Sequence, residues 1–186
     1  MMSITGDEFP CKMSEMNRKT VLSGSYVALC PMTEADQTKF CMWLQNEELR
    51  SLIDDPRVPG LEDQMKWFKR VQQADRKFLS IIAVSDGILL GNCGFVDIDP
   101  ARQEATLRIT IGNPDYIGKG YGSEAVRLLV RYGFESMSLK RIILKVLKTN
   151  ARAFRTYEKA GFAVQSEDIQ DGKSIQTMSL MKPART

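Results

Sequence analysis

The sequence predicts a mixed α/β domain on two observations. In the first half, β-branched apolar runs are joined by a tight-turn dipeptide, the mark of antiparallel strands; in the second half, strand-like and helix-like patterns alternate, the mark of strand-helix-strand units. No internal repeat or low-complexity tract interrupts that order. Residues 1–20 hold four Met, balanced charge and no periodicity, and are expected to be a disordered leader ahead of a single domain over residues 21–186. Tyr26 to Cys30 reads as a short strand stopped by Pro31. Thr33, with Asp36 three residues on, has the form of a capping box and opens a helix to about Gln45 that presents Phe40, Trp43 and Leu44. A second helical piece covers Glu47 to Ile53. After Pro56 and Pro59, Leu61, Met65, Phe68 and Val71 recur at helical spacing and give an amphipathic helix to about Ala74.

Phe78 to Ser85 is β-branched and apolar, Asp86-Gly87 is a hairpin signal, and Ile88 to Asp97 supplies the returning strand. Gly91 and Gly94 weaken that strand and mark a bulge or a close approach of backbones. Ala105 to Ile111 alternates as a further strand, and from Ser123 a helix puts Val126, Leu129, Val130 and Phe134 on one face. Arg141 to Leu147 is a strand, Ala151 to Ala160 a helix stopped by Gly161, and the two final strands pair around Asp171-Gly172.

Composition removes several chemistries. A chain of 186 residues with no His has no Ser-His-Asp or Cys-His nucleophile, no imidazole base and no His metal ligand. Cys11, Cys30, Cys41 and Cys93 are too widely spaced for a zinc site or a CxxC pair, so no metal is expected, and they read as free or buried thiols in a reducing cytoplasm. There is no apolar run of membrane-spanning length and no signal-peptide core, so a cytoplasmic protein without membrane partners is expected. Charge is unevenly spread. Thr33 to Asp75 has nine acidic and six basic residues, whereas Ile117 to Ala160 has ten basic and three acidic. The basic stretch invites an anionic ligand or is simply a set of solvated helix faces.

Gly118, Gly120 and Gly122 alternate between a strand and a helix, where exposed N–H groups and the helix dipole favour an anion. Neither a Walker loop nor a Rossmann fingerprint fits the spacing, and a plain flexible turn remains open at this level. The larger pattern is more specific. Ile109-Thr110-Ile111, Pro114 and Ile117-Gly118-Lys119-Gly120-Tyr121-Gly122, followed by the block from Asn150 through Tyr157 to Gly161-Phe162, resemble the GNAT superfamily of acetyl-CoA-dependent N-acetyltransferases. Pro31 with Thr33 to Asp36, Trp43-Leu44 and the Gly122 to Ala125 helix start resemble its branch of ribosomal-protein N-terminal and spermidine acetyltransferases.

The resemblance implies a central twisted, mostly antiparallel sheet flanked by helices, with acetyl-CoA as cosubstrate. It implies that Ile109, Thr110 and Ile111 pair their backbone with the pantetheine arm, and that Ile117, Gly118, Lys119, Gly120, Tyr121 and Gly122 hold the pyrophosphate. Where the family pattern opens its loop with Gln or Arg, this chain has Ile117, which removes a side-chain contact and keeps the backbone cradle. Asn150 resembles the Asn that contacts the cofactor arm; by position it also reads as the N-cap of the next helix. Phe154 and Tyr157 alone read as a core pair, whereas the resemblance makes Tyr157 the general acid that protonates a departing thiolate. The implied reaction is direct attack of a neutral primary amine on the thioester in a ternary complex, with backbone N–H groups of the Ile109 to Ile111 strand as oxyanion donors. The base is not legible: Glu47, Glu48, Asp54, Asp55, Asp97, Asp99 and Glu104 all qualify by position. The acidic Thr33 to Asp75 region, where relatives build the acceptor site, favours a cationic small-molecule amine or a peptide N-terminus. Cys93 reads as a structural thiol. A CoA-binding module without turnover is the alternative, to be separated by thiol release, and no nucleic acid is expected; a monomer or homodimer fits.

Overall fold

Alternating burial along each strand is what assembles this sheet, since successive side chains point to opposite faces. The computed structural model describes residues 18–53 and 57–184. The residues up to 17, expected to form a leader and including Cys11, together with Asp54, Asp55, Pro56 and residues 185–186, lie outside that description. Among the described residues the chain forms eight strands, five α-helices and one short 3-10 turn. They run in the order β1 (Leu22–Ser23), β2 (Val27–Pro31), α1 (Glu34–Trp43), α2 (Glu47–Ile53), α3 (Leu61–Arg70), β3 (Lys77–Ala83), β4 (Leu89–Asp99) and β5 (Glu104–Ile111). The 3-10 turn Pro114–Tyr116 leads into α4 (Tyr121–Glu135), β6 (Arg141–Leu147), α5 (Ala151–Lys159), β7 (Ala163–Gln170) and β8 (Lys173–Met181).

The strands form one open sheet in the order β1-β2-β3-β4-β5-β6-β8-β7. Every neighbouring pair is antiparallel except β5 and β6. A parallel pair needs a long crossover, and α4 supplies it. One face of the sheet buries Leu29, Ile81, Phe95, Leu107 and Ile142 against Val126 and Leu129 of α4. The other buries Cys30, Ile82 and Leu89 under Phe40 and Trp43 of α1, which in turn packs on α3.

Several sequence expectations shift. Val21 and the two residues of β1 extend the sheet beyond Tyr26, and Arg18, assigned to the leader, is docked by a fork onto both oxygens of Asp36 at 2.8 and 2.7 Å. The capping box at α1 is half formed. Asp36 accepts the Thr33 N–H at 2.9 Å, but the Thr33 hydroxyl has no partner among the described residues. Helix α3 ends at Arg70 rather than Ala74. Gly94 and Gly91 mark close approaches, as a Cβ at Gly94 would run into the Phe78 ring and one at Gly91 into the Thr110 carbonyl. The register also shifts between Ile81 and Ile82, opposite Gly91 and Leu89, where the strand carries an extra residue. Asp171-Gly172 forms the closing turn with both residues at positive φ, the signature of a type I′ hairpin.

Candidate active site

Strands β5 and β6 pair over only three positions, Glu104↔Arg141, Ala105↔Ile142 and Thr106↔Ile143. Beyond Thr106 the two strands pair only with their other neighbours, β4 and β8. Residues 107–111 therefore present one edge of unsatisfied backbone N–H and C=O groups into a wedge between strands. The wedge opens into a cleft of about 1420 Å³ that passes from α5 and the loop after β5, across the sheet, to α1 and α3.

At one end of the cleft, the loop 117–120 leads into α4. Gly118 and Gly120 have φ of 77° and 92°, left-handed values that L side chains rarely adopt. A Cβ at either would meet nothing, so backbone conformation rather than space is what demands glycine there. Helix α4 starts at Tyr121, two residues earlier than expected, which makes Tyr121 and Gly122 its first turn. The Glu124 N–H is the first to bond back into the helix, to Gly120 O at 3.1 Å, so the N–H groups before it point out of the helix end. The start of α4 is braced from outside. Glu124 accepts the N–H groups of Ser25, Tyr26 and Val27 at 2.9, 2.6 and 2.8 Å. Burial pushes its carboxyl up, but those three donors and Arg127 outweigh it and leave the pKa below the usual carboxylate range. The Tyr121 ring packs edge-on against Tyr116 and Tyr26, with centroids 5.1 and 6.1 Å apart. A smaller hollow of about 300 Å³, lined by Ser123, Arg152, Arg155 and Lys159 among others, lies between this helix start and α5.

Asn150 caps α5, its Oδ1 accepting the Ala153 N–H at 3.1 Å, while its Nδ2 donates to the Leu52 carbonyl at 3.3 Å and so ties α2 to α5. Tyr157 is 8% exposed and packs edge-on against Phe162. It lines the cleft, and its hydroxyl has no hydrogen-bond partner among the described residues. Burial pushes its pKa up to about 12 against the opposing pull of Arg108. Cys93 is fully buried, and burial raises its thiol pKa, which makes it an inert packing residue.

The cleft thus gathers Ile109, Thr110, Ile111, Ile117, Gly118, Gly120, Gly122, Asn150 and Tyr157 from the residues singled out in the sequence. Lys119 and Tyr121 do not line it; Lys119 is exposed, and the Tyr121 ring is engaged with Tyr116 and Tyr26. Of the carboxylates weighed as bases, only Asp97 among the described residues reaches the cleft. It sits where the β4–β5 register shifts and has φ of 51°, an uncommon conformation for a residue other than glycine. The acidic Thr33 to Asp75 stretch is largely directed elsewhere. Asp36 is buried against Arg18 and Ser80, Glu62 pairs with Lys66, and only Asp63 among its described acids lines the cleft. Sequence reasoning missed Arg70, Arg76, Trp67 and Phe78 as cleft residues. It also missed Arg108, whose one available signal was a cation between Leu107 and Ile109 in the middle of the strand.

An unpaired strand edge, a glycine-built helix start with outward N–H groups, and a buried phenol around one cleft are the parts of a site for a long, phosphate-bearing acyl carrier. Residues 27–163 match the acetyltransferase (GNAT) domain family. The chain is 30% identical over 148 residues to spermidine N(1)-acetyltransferase of Escherichia coli, covering 78% of this chain and 77% of that protein. It is 24% identical over 161 residues to the alpha/beta-tubulin-N-acetyltransferase 9 of Homo sapiens, covering 79% and 77%. Its fold matches the crystal structure of a Vibrio cholerae spermidine N-acetyltransferase in complex with CoA and spermine, with a TM-score of 0.78 at 17% identity over 85% of this chain and 96% of that one. The chain belongs to the GNAT acetyltransferase family. It is an N-acetyltransferase with acetyl-CoA as its acetyl donor.

Proposed function

We propose that the protein acetylates a primary amine of a small molecule by direct transfer in a ternary complex, within a cytoplasmic compartment that keeps its cysteines reduced. The observation that carries this reading is the wedge: the edge of residues 107–111 is free of strand partners, and Tyr157 stands at the same cleft. Acetyl-CoA supplies the acyl group activated as a thioester. Ile109, Thr110 and Ile111 offer it the backbone groups that a sheet neighbour would otherwise take. Ile117 to Gly122 would hold its pyrophosphate through loop amides and the first turn of α4, with Arg152 nearby at the start of α5. Asn150 positions the mouth of the wedge through its cap and its bond to Leu52.

Tyr157 is protonated at neutral pH and is the donor for the departing sulfur. Its pKa of about 12 lies well above the ~8.5 of a free thiol, so complete proton transfer to a thiolate runs uphill. Tyr157 therefore stabilises negative charge on sulfur by hydrogen bonding as that charge develops, in a buried setting where such a bond is strong. Asp97, at the shifted register of β4, is the group that takes the proton from the acceptor ammonium. The relatives named for spermidine and tubulin support an amine acceptor in general and differ in which one, so the acceptor is a property of each chain's own cleft. Loss of the alternative, a CoA-binding module without turnover, is tested by mixing protein with acetyl-CoA and a panel of amines and following thiol release. Amine-dependent release is expected; tight CoA binding with no release for any amine would establish the binding module instead.

A further inference from the structure

The half of the cleft away from the loop after β5 is lined by cations. Resting on the acetyl-transfer reading, we propose that the acceptor amine also carries an anionic group, a carboxylate or a phosphoryl ester, and that Arg70, Arg76 and Arg108 hold it. Sheet register builds the floor. Phe78 pairs with Gly94 and Gly94 with Arg108, so the three lie side by side on one face of β3, β4 and β5. Gly94 has no side chain, and the Lys77 carbonyl and the Phe78 ring fill the space a Cβ there would take. Arg76 precedes β3 and shares the Phe78 side by alternation. From above, Trp67 of α3 meets Phe78 edge-on at 5.2 Å between centroids, and Arg70 follows Trp67 by three residues, on the same helix face.

Two of the three guanidinium groups of this half have no carboxylate partner among the described residues, and the third, Arg76, is paired only with Asp75. Arg70 and Arg108 have no ion pair among the described residues. Arg76 is 18% exposed at its side chain and stands 3.5 Å from Asp75, but its Nε makes no hydrogen bond among the described residues. The described carboxylates lining the cleft are Asp63 and Asp97, and Asp63 accepts the Gly60 N–H at the start of α3. A polyamine entering here would add positive charge to three guanidinium groups. An amine with a carboxylate or phosphoryl group gives those groups the planar, bidentate acceptors they suit, with Trp67 and Phe78 packing on the carbon skeleton between. Arg108 lies close enough to Tyr157 to act on its pKa, so an anion held there places the same molecule's amine beside the wedge.

The test is calorimetric titration of the CoA-loaded full chain with matched amines: glucosamine 6-phosphate against glucosamine, phosphoethanolamine against ethanolamine, glycine against methylamine, and spermidine. At least one anionic member is expected to bind ten or more times tighter than its counterpart without the anionic group and than spermidine; the pair that shows this separates phosphoryl from carboxylate recognition. Arg108→Gln and Arg70→Gln should each cut that preference at least fivefold with acetyl-CoA affinity unchanged, and Arg70→Lys should keep most of it. The proposal is overturned if spermidine binds tightest, if no pair shows a preference, or if the preference survives both Gln variants. It is also overturned if those variants weaken acetyl-CoA binding instead. Acetyl-CoA binding without anion preference overturns this proposal alone, whereas failure of the wild-type chain to bind acetyl-CoA overturns the acetyl-transfer reading with it.

Discussion

The two halves of the cleft are built from different materials. The half proposed to hold the donor, from residues 107–111 to the start of α4, is made of main chain: an unpaired strand edge, two glycines at positive φ and outward N–H groups. The half proposed to hold the acceptor is made of side chains, with Trp67, Phe78 and three arginines projecting from α3, β3, β5 and the turn before β3. Main-chain groups are the same in every protein, so a half made of them can serve one common donor across a family. Side chains are replaced one at a time, so the other half is where an acceptor is chosen.

That contrast can be broken where the halves meet. Tyr157→Phe removes one hydroxyl and keeps the ring against Phe162, so acetyl-CoA should bind as before while the single-turnover rate falls by roughly 10²-fold, equal to about 3 kcal/mol. An unchanged rate would make Tyr157 a packing residue and leave the donor half without a side chain of its own. Asp97→Asn should lower the rate by about tenfold or more near neutral pH. The deficit should shrink as pH rises and the acceptor loses its proton unaided; a pH-independent deficit would assign Asp97 to geometry alone. Across the same profile Tyr157 itself should impose no alkaline loss up to about pH 10, since its pKa stands near 12.

The donor half is sharpened by Gly120→Val. A β-branched residue at φ of 92° costs about 1–2 kcal/mol or more and distorts the loop, so acetyl-CoA affinity should fall about tenfold with acceptor preference untouched. Wild-type affinity by calorimetry would remove this loop from the donor site. The remaining effect expected is on stability. Glu124→Gln weakens three charge-assisted hydrogen bonds at a cost of about 1–3 kcal/mol, read as a lower melting temperature. Asp36 behaves alike: burial raises its pKa, but Arg18, the Thr33 N–H and the Ser80 hydroxyl together hold it below the usual range. Both depressed carboxylates contribute stability that is fully present above the ordinary carboxylate pKa of about 4 and is lost as pH falls below it. Melting temperature should therefore drop on acidification below about pH 4, less steeply in Glu124→Gln than in the wild type.

The local structure of the proposed donor half was legible in the sequence because its parts are short-range. Glycines at fixed spacing, an N-cap Asn and a C-terminal Gly161 each answer a local backbone demand, and Gly161 does take φ of 95° at the end of α5. The same locality explains the errors. Two-residue β1 has no periodicity to detect, and it exists only because Leu22 and Ser23 find Leu29 and Ala28. Helix α4 begins at Tyr121 because a ring packed edge-on against Tyr116 and Tyr26 stabilises its first turn, and neither partner is adjacent in the chain. The acceptor half was illegible for a stronger reason. Counting acids over Thr33 to Asp75 places charge by segment and says nothing of direction: Asp36 turns inward to Arg18, while Phe78 and Arg108 come onto one face only through the β3–β4–β5 register.

The clasp of Glu124 on Ser25, Tyr26 and Val27 also sets a timetable. The acceptor lies 97 to 99 residues downstream of its donors, so at about 5–20 residues per second the turn between β1 and β2 leaves the ribosome roughly 5–20 s before the carboxylate that secures it. Until then the amides of that turn have only water. The sheet edge at β1 and β2 is thus fastened only once 124 of the 186 residues have been made, by the same helix whose first turn stands at the proposed donor half.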